Sequence, residues 1–402
     1  MLIRNVRIEN SEIESDVRIF DGMICEIGEN LKVSEGEKII EGNGGLMLPP
    51  FVDCHVHLDT CLSLDDTGSN ISGTLFEGIR VWSEYRKKLT KDEVQKRALR
   101  TLRLYQEKGV QHVRSHVDIS NDLTAFQALL ELKEKVADKI EIQLVAFPQD
   151  GVLTSETVQK NLEEAVSMGA DVVGGIPHFE LTREHGNRSI RHILELAQKY
   201  DKLVDIHCDE IDDEQSRFLE VLAAQAYETG MGRKVSASHT TAMHSYNDAY
   251  CSKLYRVLHM SGINIIANPL VNVNLQGRFD TYPKRRGITR MKELLENGIN
   301  VSLGHDDIYD PFYPLGNGDM TEVLSMGLHL CHMMGYHELN HSYRIITYHG
   351  ADTLNLDSAR YGIAVSKPAN FNIFHGRSFF EVLQRRDGIQ YRVRNGKVIN
   401  IE

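Results

Sequence analysis

Closely spaced cysteines, an excess of basic residues and long apolar runs are all missing from this sequence, and each absence removes a class of protein. The six cysteines (Cys25, Cys54, Cys61, Cys208, Cys251, Cys331) are scattered, with no CxxC pair. That excludes a zinc ribbon and a disulfide framework, and a reduced, cytoplasmic home is expected. It also excludes the zinc signature of the cytidine-deaminase type, which needs Pro-Cys-x-x-Cys. Acidic residues outnumber basic ones, 57 to 45, and the formal net charge of -12 argues against a nucleic-acid partner. No run approaches the roughly 20 apolar residues of a membrane helix. The opening MLIRNVRIEN lacks the apolar core of a signal peptide. The one tryptophan, Trp82, reads as a core residue.

What is present is an ordinary globular balance, 41% hydrophobic and 25% charged over 402 residues. Both ends of the chain alternate apolar and polar residues in short pieces: LIRNVRI, SDVRIFD, MICEIG and EKIIEG at the start, NFNIF and QYRVRNGKVINI at the finish. Period-two runs broken by Gly, Asn and Asp predict small antiparallel strands, and Asn395-Gly396 is a hairpin signal. Residues 1–48 and 357–402 are therefore expected to build one small β-sandwich domain.

Residues 49–356 have a different rhythm. Apolar runs recur at FVDCHVH, VQHVRSHVDI, IEIQLVAF, DVVGGIPHF, KLVDIHCDE, KVSASHTT, INIIANPLV and INVSLGHDD. Helix-period segments lie between them. One is predicted to start at Thr90, with Glu93 completing a capping box, and to stop at Gly109. Another carries Ile190, Ile193, Leu194 and Ala197 on one face. Eight apolar strands alternating with helices predict an α/β fold, a (β/α)8 TIM-type barrel. Such a barrel carries its chemistry at the C-terminal ends of its strands.

Polar residues gather at those ends. His55 and His57 fall on one side of the first strand because side chains alternate. Two imidazoles on one face are half of a divalent-metal site, but the HxH spacing alone is equally compatible with two buried histidines bonded to backbone. Partners from other strands decide. His207 ends strand five, His239 ends strand six, and GHDD places Asp306 and Asp307 at the end of strand eight. They meet at one point only if the barrel closes. His116 and His178 are read as supporting residues, His244 as a helix-start residue, and His329 and His332 as packing residues; His112 and His305 are left without a role.

A divalent ion with open positions lowers the pKa of water from about 15.7 to about 7. Asp306 is placed to take the water's proton, and Glu210, three residues past His207, to protonate the electrophile. His239 could hold the new hydroxyl or stabilise charge on it. Strand four, ADVVGGIPHF, carries no lysine or glutamate to bridge a second ion, so one ion is expected.

At this point the chain resembles the amidohydrolase superfamily, mononuclear branch, and within it the bacterial cytosine deaminases. The resemblance is carried by PPFVDCHVHLDT, SGTLFEGI, GVQHVRSHVDIS, VAFPQDG, GADVVGGIPHFELTREHG, HCDEIDDEQSRF, SASHTTAMHSYN, ANPLVNVNLQGRFDTYPKRRGITR and GHDDIYDPFYPLG, which together span residues 49–317. It implies that His55, His57, His207 and Asp306 bind one Fe(II) or Zn(II), and that Glu210 shuttles a proton to ring nitrogen N3. His239 and Asp306 would handle the attacking water, and Gln149 would read the N1 and O2 edge of the pyrimidine. Asp307 would border the departing amine, Phe147 and Phe312 would wall the ring, and Leu75 would offer backbone contact. The implied reaction turns a small nucleobase, cytosine, into uracil and ammonia in pyrimidine salvage; a homo-oligomer is expected because barrels with this acidic balance often assemble. Where the family commonly carries Trp, this chain has Phe312, which leaves room for 5-methylcytosine, isoguanine or another amino-heterocycle such as creatinine. Ring opening of a cyclic amide and a non-catalytic scaffold are the alternatives.

Overall fold

The computed structural model describes residues 1–399, so the last three residues of the C-terminal strand-rich run lie outside the described residues. Strands β1 (Leu2–Ile8), β2 (Glu14–Phe20), β3 (Met23–Gly28) and β4 (Ile39–Leu48) open the chain. After Pro49 and Pro50 the backbone enters the barrel strands: β5 (Phe51–Val56), β6 (Val110–Asp118), β7 (Glu141–Phe147), β8 (Val172–Gly175), β9 (Leu203–Cys208), β10 (Val235–His239), β11 (Asn264–Ala267) and β12 (Val301–Leu303). Strands β13 (Phe371–Phe374), β14 (Ile389–Arg394) and β15 (Lys397–Val398) then return to the first sheet, giving the order β15-β14-β13-β4-β1-β2-β3. Arg394 pairs with Lys397 across the predicted Asn-Gly turn. Ile3, Val6, Val17, Ile24, Met47, Phe371, Ile373 and Val393 form an apolar core of their own, which separates this β-sandwich from the barrel.

β5 to β12 run parallel and in sequence order. The ring closes beyond the last strand. The Asp306 amide donates to the His55 carbonyl at 2.7 Å, and the His57 amide donates to the Asp306 carbonyl at 3.0 Å. The residues that shut the barrel are thus the candidate ligands themselves. Gly304 permits this approach, since a Cβ there would sit 2.4 Å from His55 Cβ.

The helix Lys91–Glu107 shows how sequence makes the outer layer. Thr90 accepts from the Glu93 amide, and Val94, Ala98, Leu102 and Tyr105 are buried. Val94 and Leu102 each contribute roughly 1.5–3 kcal/mol when fully buried. The Glu93 carboxylate does not close the predicted capping box; it accepts from Arg97. Two predicted strands are shorter than expected. DVVGGIPHF leaves extended geometry at the turn Pro177–Phe179, and INIIANPLV becomes the helix Pro269–Leu275, because proline cannot donate to a ladder but suits a first helical turn. His329 and His332, expected to pack, are exposed: the helix Met320–Leu330 buries the face carrying Val323, Leu324 and Leu328 instead of His329, and His332 lies beyond its end with a left-handed backbone. His244 lies in the short turn Thr241–Ser245, just before the helix Asp248–Ser261 rather than at its start. Trp82 is fully buried, as expected, and donates its indole N–H to Asp118.

Candidate metal centre and active site

Side chains from β5, β6, β9 and β10 and from the loop after β12 converge at the C-terminal mouth. His57 Nε2 lies 3.3 Å from His207 Nε2 and 3.5 Å from Asp306 Oδ1, and His55 Nε2 lies 3.4 Å from the same oxygen. Donor atoms about 2.0–2.1 Å from one ion in a tetrahedral shell stand about 3.4 Å apart. His116, expected only to support the site, stacks on His55 with ring centroids 3.9 Å apart and forms a close donor group with His55 and His207.

Local bonding sets the tautomer of His55. The Ser238 hydroxyl donates its single proton to Asp205 Oδ1 at 2.6 Å. Ser238 Oγ can then only accept from His55 Nδ1–H, 2.8 Å away. Nε2 is left bearing a lone pair, buried, with no hydrogen-bond partner. A buried polar atom without a partner calls for an explanation, and an imidazole oriented through its other nitrogen is how metal-binding histidines are held. The residues present therefore fit a divalent ion.

The second group is acid–base in character. His239 Nδ1 lies 3.3 Å from Glu210 Oε1 and 3.8 Å from Asp306 Oδ2, and the Asn272 amide lies within hydrogen-bonding distance of both Glu210 and His239. His239 and Asp306 both have left-handed backbones, each with φ 70°. Such conformations are costly for non-glycine residues and concentrate at functional sites. Burial, reinforced by neighbouring imidazoles, holds His55, His57 and His207 well below their ordinary pKa; burial and nearby His116 and His178 do the same for His239. Burial pushes Glu210 up to about 8. Asp306 is raised by burial and then by the charges of Glu210, Asp310 and Asp53. Asp307 is raised by burial and by Asp310, with which it shares a hydrogen bond.

Of the residues singled out from sequence, His57, Leu75, Gln149, His207, Glu210, His239, Asp306, Asp307 and Phe312 border one small cavity of about 20 Å³. His55 lies beneath them. Phe147 does not border the cavity; it stacks on His207 with centroids 4.0 Å apart. His305 has a structural job, accepting from the Asn317 and Gly318 amides while Nδ1 faces the Asp307 carbonyl. Ser238, Asp205, Asp310 and Asn272 were not anticipated. Asp205 could have been found, because it shares an inward strand face with His207 two residues later.

A barrel of this topology with imidazoles and a carboxylate gathered at its mouth fits the class of metal-assisted hydrolases. The comparisons make the class specific. Residues 63–399 match the Amidohydrolase family, and the chain belongs to it. Its structure superimposes on 5-methylcytosine deaminase from Klebsiella pneumoniae liganded with 5-fluorocytosine, with a TM-score of 0.97 and 46% identity, covering 100% of this chain and 97% of that one. Pterin deaminase from Rhizobium rhizogenes is 27% identical over 96% of this chain and 88% of its own length. N-isopropylammelide isopropyl amidohydrolase from Pseudomonas sp. is 26% identical over 94% of this chain and 91% of its own. The protein is a hydrolase acting on C–N bonds, of a deaminase type. Among the described residues no helix is long and apolar enough to cross a membrane.

Proposed function

We propose that this protein deaminates a free aminopyrimidine, cytosine or a 5-substituted cytosine, to the corresponding uracil and ammonia. One observation carries the reading. Gln149, Glu210, His239, Asp306 and Asp307 border a single cavity beside imidazoles whose lone pairs have no partner. In this reading His55, His57, His207 and Asp306 hold one divalent ion, Fe(II) or Zn(II). When bound, such an ion makes hydroxide available near neutral pH. Glu210, protonated at neutral pH with its pKa near 8, gives its proton to ring nitrogen N3 as water adds at C4. It then carries the C4 hydroxyl proton to the amino group as the C4–N bond breaks and the carbonyl forms, and the proton taken from water restores the Glu210 acid. His239 and Asp306 orient the water and take its proton. The side-chain amide of Gln149 offers a donor and an acceptor to the N1 and O2 edge. Asp307 borders the amine, Phe312 walls the ring, Phe147 stacks behind His207, and Leu75 supplies a backbone contact. The domain division at 48/49 and 356/357 and a cytoplasmic, homo-oligomeric enzyme of pyrimidine salvage belong to the same proposal.

A bicyclic amino-heterocycle such as isoguanine is the second reading. It is favoured by an antechamber of about 410 Å³ that adjoins the cavity through Leu75, Glu210 and Leu275. The test is ammonia release from cytosine, 5-methylcytosine, isoguanine and creatinine after loading with Fe(II) or Zn(II). Release from an aminopyrimidine, lost on chelation and restored by metal, is the expected result. Ring opening of cyclic amides with two ions per chain would replace the proposal with a cyclic amidohydrolase.

A further inference from the structure

We infer that Gly78, which does not border the cavity, sets the room beside the pyrimidine's 5-position by fixing where the Phe312 ring lies; the inference rests on the aminopyrimidine reading above. Gly78 is buried within the helix Leu75–Tyr85, three residues after Leu75, so the two share a face. A Cβ on Gly78 would stand 2.7 Å from Phe312 Cδ1 and 2.9 Å from Cε1, well inside van der Waals contact. Glycine inside a helix is otherwise disfavoured relative to alanine. Here its bare backbone is the surface against which the ring rests.

Hydrogen bonds at both ends hold the Phe312 backbone in place against an added methyl group. Its amide donates to Asp310 Oδ1 at 3.0 Å, and its carbonyl accepts from the Asn274 side-chain amide at 2.9 Å. Asp310 is itself held, accepting from Thr60 Oγ1 at 3.0 Å. Displacement must therefore come from rotation of the ring, and the free volume the ring borders is the substrate cavity. A ring edge turned towards that cavity takes room from whatever it holds. With Gln149 assigned to the N1 and O2 edge, Glu210 to N3 and Asp307 to the amine, Phe312 is the lining residue left for the 5-position, so a substituent there meets the displaced ring first and unsubstituted cytosine is the more tolerant substrate.

The experiment compares metal-loaded wild type, Gly78→Ala, Phe312→Leu and the double variant. It measures kcat/KM for cytosine and 5-methylcytosine and inhibition by uracil and thymine. Gly78→Ala is expected to lower the 5-methylcytosine to cytosine ratio by about 10-fold or more, the scale of one misfitted methyl group. Inhibition by thymine should weaken relative to uracil in parallel. Adding Phe312→Leu should move both ratios back towards those of Phe312→Leu alone, because the ring that Gly78→Ala displaces is gone. A folded, metal-loaded Gly78→Ala with both ratios unchanged overturns the inference. So does a double variant that keeps the ratios of Gly78→Ala. Should Gly78→Ala not fold alone, the double variant must fold and match Phe312→Leu, and its failure to do so is equally fatal. A wild type that turns over neither base would defeat the aminopyrimidine reading itself, a result separate from any change in ratio.

Discussion

Two buried polar clusters occupy the same barrel and differ in how completely they are paired. Deeper along the strands, Arg114 is fully buried and spends its guanidinium on Gln143, Asp205, Ser236 and the Thr353 carbonyl, at 2.9–3.2 Å. At the mouth, His55 Nε2, His207 Nδ1 and both ring nitrogens of His116 have no hydrogen-bond partner, and burial, with neighbouring carboxyls, raises Asp306 and Asp307 well above the ordinary carboxyl range. The first cluster is explained by folding. The second is not, because incompletely paired buried polar groups weaken a structure unless something else satisfies them. The contrast separates a structural network from a site kept open for an ion and a substrate.

Three substitutions test that contrast, the largest effect first. Glu210→Gln keeps the shape of the mouth but removes its proton carrier. Turnover should fall by about 10²–10⁴-fold, the usual worth of a general acid–base group, with metal content per chain unchanged. Steady-state kinetics beside elemental analysis would read this, and near-wild-type turnover would remove Glu210 from the chemistry. Arg114→Met attacks the paired cluster instead. It takes from Asp205 the fixed cation of a carboxyl that burial alone would raise but that His116, Arg114 and Ser238 together hold below its ordinary pKa. Breaking such a pair costs about 3–5 kcal/mol, visible as a large drop in unfolding midpoint. A midpoint near that of wild type would mean that the network is not structural.

Ser238→Ala connects the two clusters. Ser238 passes a hydrogen bond from His55 to Asp205, so its loss frees the His55 ring to rotate. Metal affinity should weaken by about 10–100-fold, as for other groups that orient a ligand, measured by competition with a chromophoric chelator. An unchanged affinity would take His55 out of the ligand set.

Much of the site was legible beforehand because its residues sit where strand periodicity and barrel topology put function. His55, His57, His207 and His239 could be placed at strand ends from alternation alone, and Glu210 and Asp306 from their position just beyond. Phe147 could be placed beside the site but not on its correct side, since the stacking on His207 depends on how β7 lies against β9. His329 went wrong because an apolar neighbourhood in sequence does not say which face of a helix turns inward, and His332 because it does not say where the helix ends.

By itself the sequence determined the alternation of strands and helices, the β-domain drawn from both ends and the donor types available at the mouth, since all of these follow from short-range periodicity and side-chain chemistry. Only the tertiary structure decided which lone pairs stay bare, that Asp306 closes the barrel on His55 and His57, and that Gly78 meets Phe312. Those are contacts between residues tens to hundreds of positions apart, and no local pattern along the chain encodes a distance across it.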